Sequence, residues 1–376
     1  MVSLLFRIKM FYKGFMKKIA LWALFLLVLS ACQSVIVAPT PTDTPSPTAT
    51  FTPPPPTSTI TPTTTITKTP TITSTPIHPV GTLIFQQADD TISYNWFSYL
   101  PRSIDPSQPS YIWVSGIHGN IYTDAYTKIT EESRSQAEWR TELASEHNYI
   151  LLVPVIPRPN IKFDYAVSLP WYVFLPETAP FLQRPDEKIN LIINKLLEEL
   201  RTDGYSVHDR VYMDGFSAGA MFTQRFALLH PERIQAIAAG QCGGAITLPE
   251  ISYNNTPMDW PVGVNNYKKL VGYDFNREEY KKIPQFIYIG DQDVKHSTLY
   301  WGPYEDDYNE VWRTPGEIYF LKASFGDSDP IRLQKQVAYL NNLGYTNIIF
   351  KLYPGIGHQL TDEMLDDTFT FFNAHK

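Results

Sequence analysis

The stretch from Ala38 to Pro79 sets the first limit on how this chain can fold. It is dominated by Pro and Thr, as in "PTPTDTPSPTATFTPPPPTSTITPTTTITKTP", with only Asp43 and Lys68 formally charged. Proline fixes φ and removes the backbone donor, and the few apolar side chains cannot offset the entropy of ordering. The segment therefore predicts a polyproline II spacer, at most roughly 130 Å long at about 3.1 Å per residue. Its threonines also permit O-glycosylation. The predicted organisation is residues 1–31 as a signal, 32–79 as a disordered linker and 80–376 as one folded domain.

Residues 16–32, "MKKIALWALFLLVLSAC", place two lysines before an apolar stretch from Ile19 to Leu29 and then small residues. This is the layout of a secretory signal, with a core too short for a permanent span. The run Leu29-Ser30-Ala31-Cys32 resembles the lipobox of bacterial lipoproteins. That resemblance implies cleavage before Cys32, lipidation of its thiol, and an extracytoplasmic protein of the cell envelope. Residues 1–15 add nothing to the pattern, so Met10 and Met16 are alternative starts.

The chain has a formal net charge of −7, and cleavage after residue 31 would remove Arg7, Lys9, Lys13, Lys17 and Lys18, deepening it to about −12. Such a balance argues against nucleic-acid binding and against a basic surface for anionic lipid, so the expected membrane link is the lipid on Cys32. With Cys32 acylated, Cys242 is the remaining thiol, which excludes an internal disulfide and a cysteine-based metal cluster. In "AAGQCGGA" it reads as a small buried residue.

From residue 80 onward apolar strands alternate with helical patterns. Strands are predicted at 82–86, 93–99, 111–115, 150–155, 211–213, 236–239, 286–289 and 348–352, and helices at 133–146, 186–202, 218–229, 330–343 and 362–374. That order argues for an α/β fold with a doubly wound, mostly parallel sheet, its first two strands forming an antiparallel edge. In such a sheet ligands bind beyond the carboxyl ends of the strands.

One of those ends is "VYMDGFSAGAMF", residues 211–222. Here Gly215-Phe216-Ser217-Ala218-Gly219 must turn sharply from strand to helix, and the pattern G-x-S-x-G leaves the Ser217 hydroxyl at the tip. A mere helix cap at Ser217 would leave both glycines unexplained. Serine is a weak nucleophile at neutral pH and needs a base, and His358 in "YPGIGHQL" lies in a loop just past the last strand. An acid should orient that imidazole, and "IYIGDQDV" supplies Asp293, with Asp291 as runner-up and Asp329 of "GDSDP" as a weaker third. Donors for a developing oxyanion are expected from the N–H of Ala218 and from Gly119 or Asn120 in the "GIHGN" loop, with His118 shaping that loop.

In chain order these residues resemble the α/β-hydrolase superfamily: an HG loop, G-x-S-x-G, a late aspartate and a final histidine. Within it, "YNWFSYLPRSIDPSQPSYIWVSGIHGN" and "VHDRVYMDGFSAGAMFTQRFALLHPERIQAIAAGQ" look like the secreted polyhydroxybutyrate depolymerase and feruloyl esterase group, most closely over 207–240. The resemblance implies a cofactor-independent, metal-free serine esterase acting on an ester substrate, polymeric or aromatic. Segments at 157–185 and 295–325 lengthen loops on the expected active side, where Trp171, Tyr172, Trp301 and Trp312, with Tyr300 and Tyr304, are candidates to line a substrate cleft or to pack within their own loops. Acidic "YEDDYNE" at 304–310 reads as a solvated loop or a cation site. Two other functions share the pattern: a peptidase resembling the prolyl-oligopeptidase group, disfavoured without a gating propeller, and an idle lipoprotein that binds a polymer or glycan.

Overall fold

The computed structural model describes residues 76–116, 125–158, 168–293 and 315–376. The signal, Cys32, nearly all of the linker, Gly119, Asn120, His118, Trp301 and Trp312 lie outside the described residues. Ten strands are described: β1 Leu83–Gln86, β2 Trp96–Tyr99, β3 Ile112–Val114, β4 Ile150–Pro154, β5 Val211–Phe216, β6 Ile234–Gly240, β7 Ser252–Tyr253, β8 Thr256–Pro257, β9 Gln285–Gly290 and β10 Ile348–Tyr353. The helices are α1 Tyr126–His147, α2 Pro185–Thr202, α3 Ala218–Leu229, α4 Tyr267–Val271, α5 Arg277–Tyr280, α6 Pro315–Phe325, α7 Asp329–Asn342 and α8 Asp362–Asn373.

Eight strands form one sheet in the order β1-β2-β4-β3-β5-β6-β9-β10, while β7 and β8 make a separate small hairpin. β1 pairs antiparallel with β2, and β2 antiparallel with β4, whereas β4, β3, β5, β6, β9 and β10 run parallel. The expected antiparallel edge and parallel body are therefore both present. The central strands read as nearly unbroken apolar runs because both faces are covered. Ile112, Val114, Ile150 and Leu152 face a core shared with Ile189, Ile192, Ile193, Leu196 and Leu200 of α2 and with α3. Trp113, Leu151 and Val153, at the alternate positions, face Ala137 and Ala144 of α1 and Phe369 and Phe372 of α8.

The helices follow from their patterns. α2 begins with Pro185, carries Asp186 and Glu187 in its first turn, and buries a stripe at i, i+3, i+4 spacing. α3 is buried at all twelve positions. Two of its long polar side chains are bonded in place: the Gln224 amide donates to the Thr247 carbonyl at 2.9 Å and accepts from the Thr247 N–H at 3.1 Å, and Arg225 Nε donates to Thr247 Oγ1 at 3.1 Å.

Three expectations are corrected. α1 starts at Tyr126, seven residues ahead of the predicted 133, because the Tyr126 hydroxyl donates to the Val155 carbonyl at 2.8 Å and accepts the Asn95 N–H at 2.9 Å, tying the first turn to the sheet. Pro315–Phe325, assigned to a lengthened loop, is a helix with Leu321 and Phe325 buried. Native contacts also reach back past residue 80: the Ile77 and His78 N–H groups donate to the two carboxylate oxygens of Asp203 at 3.0 and 2.7 Å. His78 is fully buried, with its ring between Ser98 Oγ at 3.0 Å and Glu199 Oε2 at 2.8 Å. Among the described residues no helix is long and apolar enough to cross a membrane.

Candidate active site

Because β5, β9 and β10 are parallel, the residues that follow them emerge at one end of the sheet. Ser217 follows β5 directly, Asp293 lies three residues past the end of β9, and His358 five past the end of β10. The structure brings these three together. His358 Nε2 lies 3.1 Å from Ser217 Oγ, and His358 Nδ1 lies 2.9 Å from Asp293 Oδ2. A carboxylate can only accept at Nδ1, so that nitrogen carries the proton and Nε2 presents its lone pair to the serine hydroxyl. The Asp293 side chain is 3% exposed and the His358 side chain 17%, so the acid is shielded while the imidazole is reachable. The Phe216 ring packs on the imidazole at a centroid distance of 5.3 Å.

Ser217 has φ 58° and ψ −120°, a region L-residues avoid and one that costs about 1–3 kcal/mol. Its N–H donates to the Gly240 carbonyl of β6 at 2.9 Å. The glycine two residues earlier permits the turn: a Cβ on Gly215 would stand 2.2 Å from the Gly219 carbonyl oxygen. Gly290 at the end of β9 is equally constrained, since a Cβ there would lie 2.0 Å from the Ile356 carbonyl oxygen in the histidine loop. At the start of α3 the Ala218 N–H has no acceptor within its own helix, as expected of a first-turn donor.

The two runner-up acids have other partners. Asp291 is exposed and its Oδ1 accepts the Gly355 N–H at 2.7 Å, while its own N–H donates to the Tyr353 carbonyl at 3.0 Å. It ties the acid loop to the histidine loop, and the Gln292 N–H adds a bond to the Ile356 carbonyl at 3.0 Å. Asp329 is buried against the Arg332 guanidinium, and Ser328 is the N-cap of α7. Trp171 and Tyr172 sit in a short 3-10 turn, their rings edge to face at 6.2 Å, with Tyr172 packed on the core and Trp171 37% exposed. Cys242 is buried as expected.

Beneath the Ser217 turn, Asp214 of β5 is buried and accepts from Trp113 Nε1 at 2.8 Å. Burial pushes its carboxyl above the ordinary value, partly opposed by Arg140 and by hydrogen bonds from Ser115 and Trp113. Arg140 donates through Nε to Ser115 Oγ at 2.8 Å, and burial pulls it down to about 10 against the attraction of Asp214. Among the described residues one group has metal-ligand geometry, Asp186, Glu187 and His230, with ligand atoms within 4.8 Å of one another. The Arg184 guanidinium already bonds both carboxylates, so each has a cationic partner within the protein.

The sequence reading missed the role of Gln241, the residue after β6, whose Nε2 donates to the Gly357 carbonyl at 2.7 Å. Its neighbours in "AAGQCGGA" mark a turn but carry no signal for that contact.

No protein-family model and no curated protein sequence matches the chain. Among solved structures, a poly(3-hydroxybutyrate) depolymerase from Bordetella parapertussis is similar at 16% identity and a TM-score of 0.49, covering 78% of this chain and 89% of that one. A poly(aspartic acid) hydrolase from Sphingomonas sp. KT-1 is similar at 18% identity and a TM-score of 0.48, covering 80% and 98%. A ferulic acid esterase is similar at 12% identity and a TM-score of 0.40, covering 78% and 95%. Likeness at this level carries no chemistry with it.

Proposed function

We propose that this chain is a serine hydrolase that cleaves carboxylic esters through an acyl-enzyme. The observation that carries the reading is the unbroken line of hydrogen bonds from Ser217 Oγ through His358 to Asp293, starting at a serine held in a strained turn. In the proposed reaction His358 Nε2 takes the Ser217 proton as Oγ attacks the ester carbonyl carbon, then returns it to the departing alkoxide, leaving an acyl-serine and a free alcohol. Water then attacks the acyl carbon, gives its proton to Nε2, and releases the acid as Oγ recovers that proton. Asp293 keeps Nδ1 protonated and balances the imidazolium. Ala218 N–H, with an N–H from Gly119 or Asn120, is assigned to the oxyanion. The choice of esters over peptides rests on the sequence resemblance of residues 207–240 to the depolymerase and feruloyl esterase group. We further propose that a lipid on Cys32 holds the enzyme to the membrane outside the cytoplasm, from the run Leu29-Ser30-Ala31-Cys32.

The test is reaction of the full chain with a fluorophosphonate, mapped by mass spectrometry with Ser217→Ala as control. An adduct on Ser217 that the variant lacks supports an activated serine. A folded sample that takes no label overturns the reading. Turnover of peptide amides in preference to short-chain, feruloyl and polyester substrates would overturn the ester assignment. Membrane partition that survives Cys32→Ala would overturn the anchor.

A further inference from the structure

We propose that Gln241 is a positioning residue that sets the distance between the serine and the histidine of the proposed hydrolase. Two consecutive residues at the end of β6 hold the backbones of both reacting side chains. The Gly240 carbonyl accepts the Ser217 N–H at 2.9 Å, and Gln241 Nε2 donates to the carbonyl of Gly357, the residue before His358, at 2.7 Å. The path from nucleophile to base through the backbone is thus one peptide unit of β6 and one amide side chain.

Several features show that this contact is specified. Gln241 has φ 51°, a left-handed conformation that costs an L-residue stability, and it is held there by its N–H donating to the Tyr288 carbonyl at 2.7 Å and by its own carbonyl accepting the Gly243 N–H at 2.7 Å. The left-handed step turns the side chain out of the strand's alternation. The residue is 1% exposed, and its Oε1 is buried with no hydrogen-bond partner among the described residues. A bare buried acceptor costs stability, which a methionine or leucine of similar volume would avoid. Retaining the amide keeps the donor. The amide orientation is itself fixed, because a flipped side chain would put oxygen against the Gly357 carbonyl. That carbonyl also accepts the Gln359 N–H at 2.9 Å, so the His358 backbone is bracketed from both directions.

The other hydrogen bonds that hold the backbone of the histidine loop come from the acid side, from Asp291 to Gly355 and between Gln292 and Ile356. They keep His358 with Asp293 but do not connect it to Ser217. Among the described residues Gln241 supplies the side-chain hydrogen bond that joins the loop to the strand beside Ser217, in addition to the Phe216 ring packed on the imidazole. Its loss should leave the acid–histidine pair intact and let that pair drift from the serine.

The proposal rests on the serine-hydrolase reading, and its test separates the two. Gln241→Met removes the donor and the bare acceptor at nearly constant volume, and Gln241→Glu removes the donor with the shape kept. Both are made in the full chain and compared with wild type for thermal midpoint, for the second-order rate of fluorophosphonate labelling at Ser217, and for kcat and KM on a p-nitrophenyl ester. A sub-ångström to 1 Å misplacement predicts labelling and kcat slower by about 10- to 100-fold. The KM should stay within about threefold and the Met thermal midpoint should not fall, the pattern of an interaction expressed in the transition state. A folded variant that labels within twofold of wild type overturns the strut, and so does a rate loss that merely tracks a lowered midpoint. Should one variant fail to fold, the other decides. If wild type itself takes no label, the hydrolase reading falls first and the strut with it.

Discussion

Among the described residues two hydrogen-bonded lines join serine, histidine and carboxylate, and their settings differ. At one end of the sheet Ser217, His358 and Asp293 are joined at 3.1 and 2.9 Å. At the antiparallel edge Ser98, His78 and Glu199 are joined at 3.0 and 2.8 Å, with the ring reversed so that Nδ1 meets the serine. In both, the hydroxyl donates to an imidazole whose other nitrogen faces a carboxylate. The difference lies in backbone and access. Ser98 is a fully buried residue inside β2, paired on one side with Ile84 and on the other with Leu152. Ser217 stands on a turn with positive φ at the start of a helix, its base partly exposed. The three side chains line up in either place; under the proposed function it is the strained, partly exposed turn that admits an electrophile.

The widest separation should come from the two serines. Ser217→Ala is expected to lower ester turnover by about 10⁴-fold or more, whereas Ser98→Ala should leave kcat within about twofold. Equal losses in the two would erase the distinction. Next in size is the acid. Asp293→Asn should cost roughly 10³- to 10⁴-fold in kcat, since the amide can donate to Nδ1 and select the wrong tautomer, and Asp291→Asn under tenfold. Reversed ranks would make Asp291 the functional acid.

A third histidine–carboxylate pair sharpens the contrast through pH. Asp186 is buried, with His230 Nε2 at 3.1 Å and Arg184 on both its oxygens. Burial pushes this carboxyl up, but hydrogen bonds from His230 and Arg184 and their charges outweigh it and leave the pKa below the ordinary value. A depressed carboxyl contributes stability that is present above its unfolded pKa of about 3.9 and is lost as pH falls through the folded value. Asp186→Asn should therefore cost on the order of 3–5 kcal/mol at pH 7, and the gap to wild type should close below about pH 4 in urea titrations. A gap independent of pH would mean that shape, not charge, matters there. Smallest is the buried relay itself: His78→Ala should lower stability by about 1–3 kcal/mol with ester turnover unchanged, read by denaturation and kinetics on one sample.

The parallel body of the sheet was legible because doubly buried strands must be apolar throughout, and 150–155 and 236–239 have that composition. Ser217 was legible because only glycine fits at 215. Asp293 could be preferred to Asp291 because three residues beyond Gly290 allow the chain to turn back, yet sequence could not show that Asp291 would be occupied by the Gly355 N–H. His78 was hidden by its neighbours: it follows Thr-Pro-Ile and reads as the end of a spacer, while its partners Ser98, Glu199 and Asp203 lie far along the chain. Gln241 was hidden for the same reason, its acceptor lying more than a hundred residues away.

The grip on His78 also has a mechanical side. A polypeptide tugged at residue 76 would first load two N–H groups seated on one carboxylate, Asp203, just past the end of α2, and then a ring wedged between β2 and α2. Force entering there is shared between β2, a strand paired on both sides, and a helix whose apolar stripe is sunk in the core. Tension at the leading end thus falls first on β2 and α2, neither of which carries Ser217, Asp293 or His358.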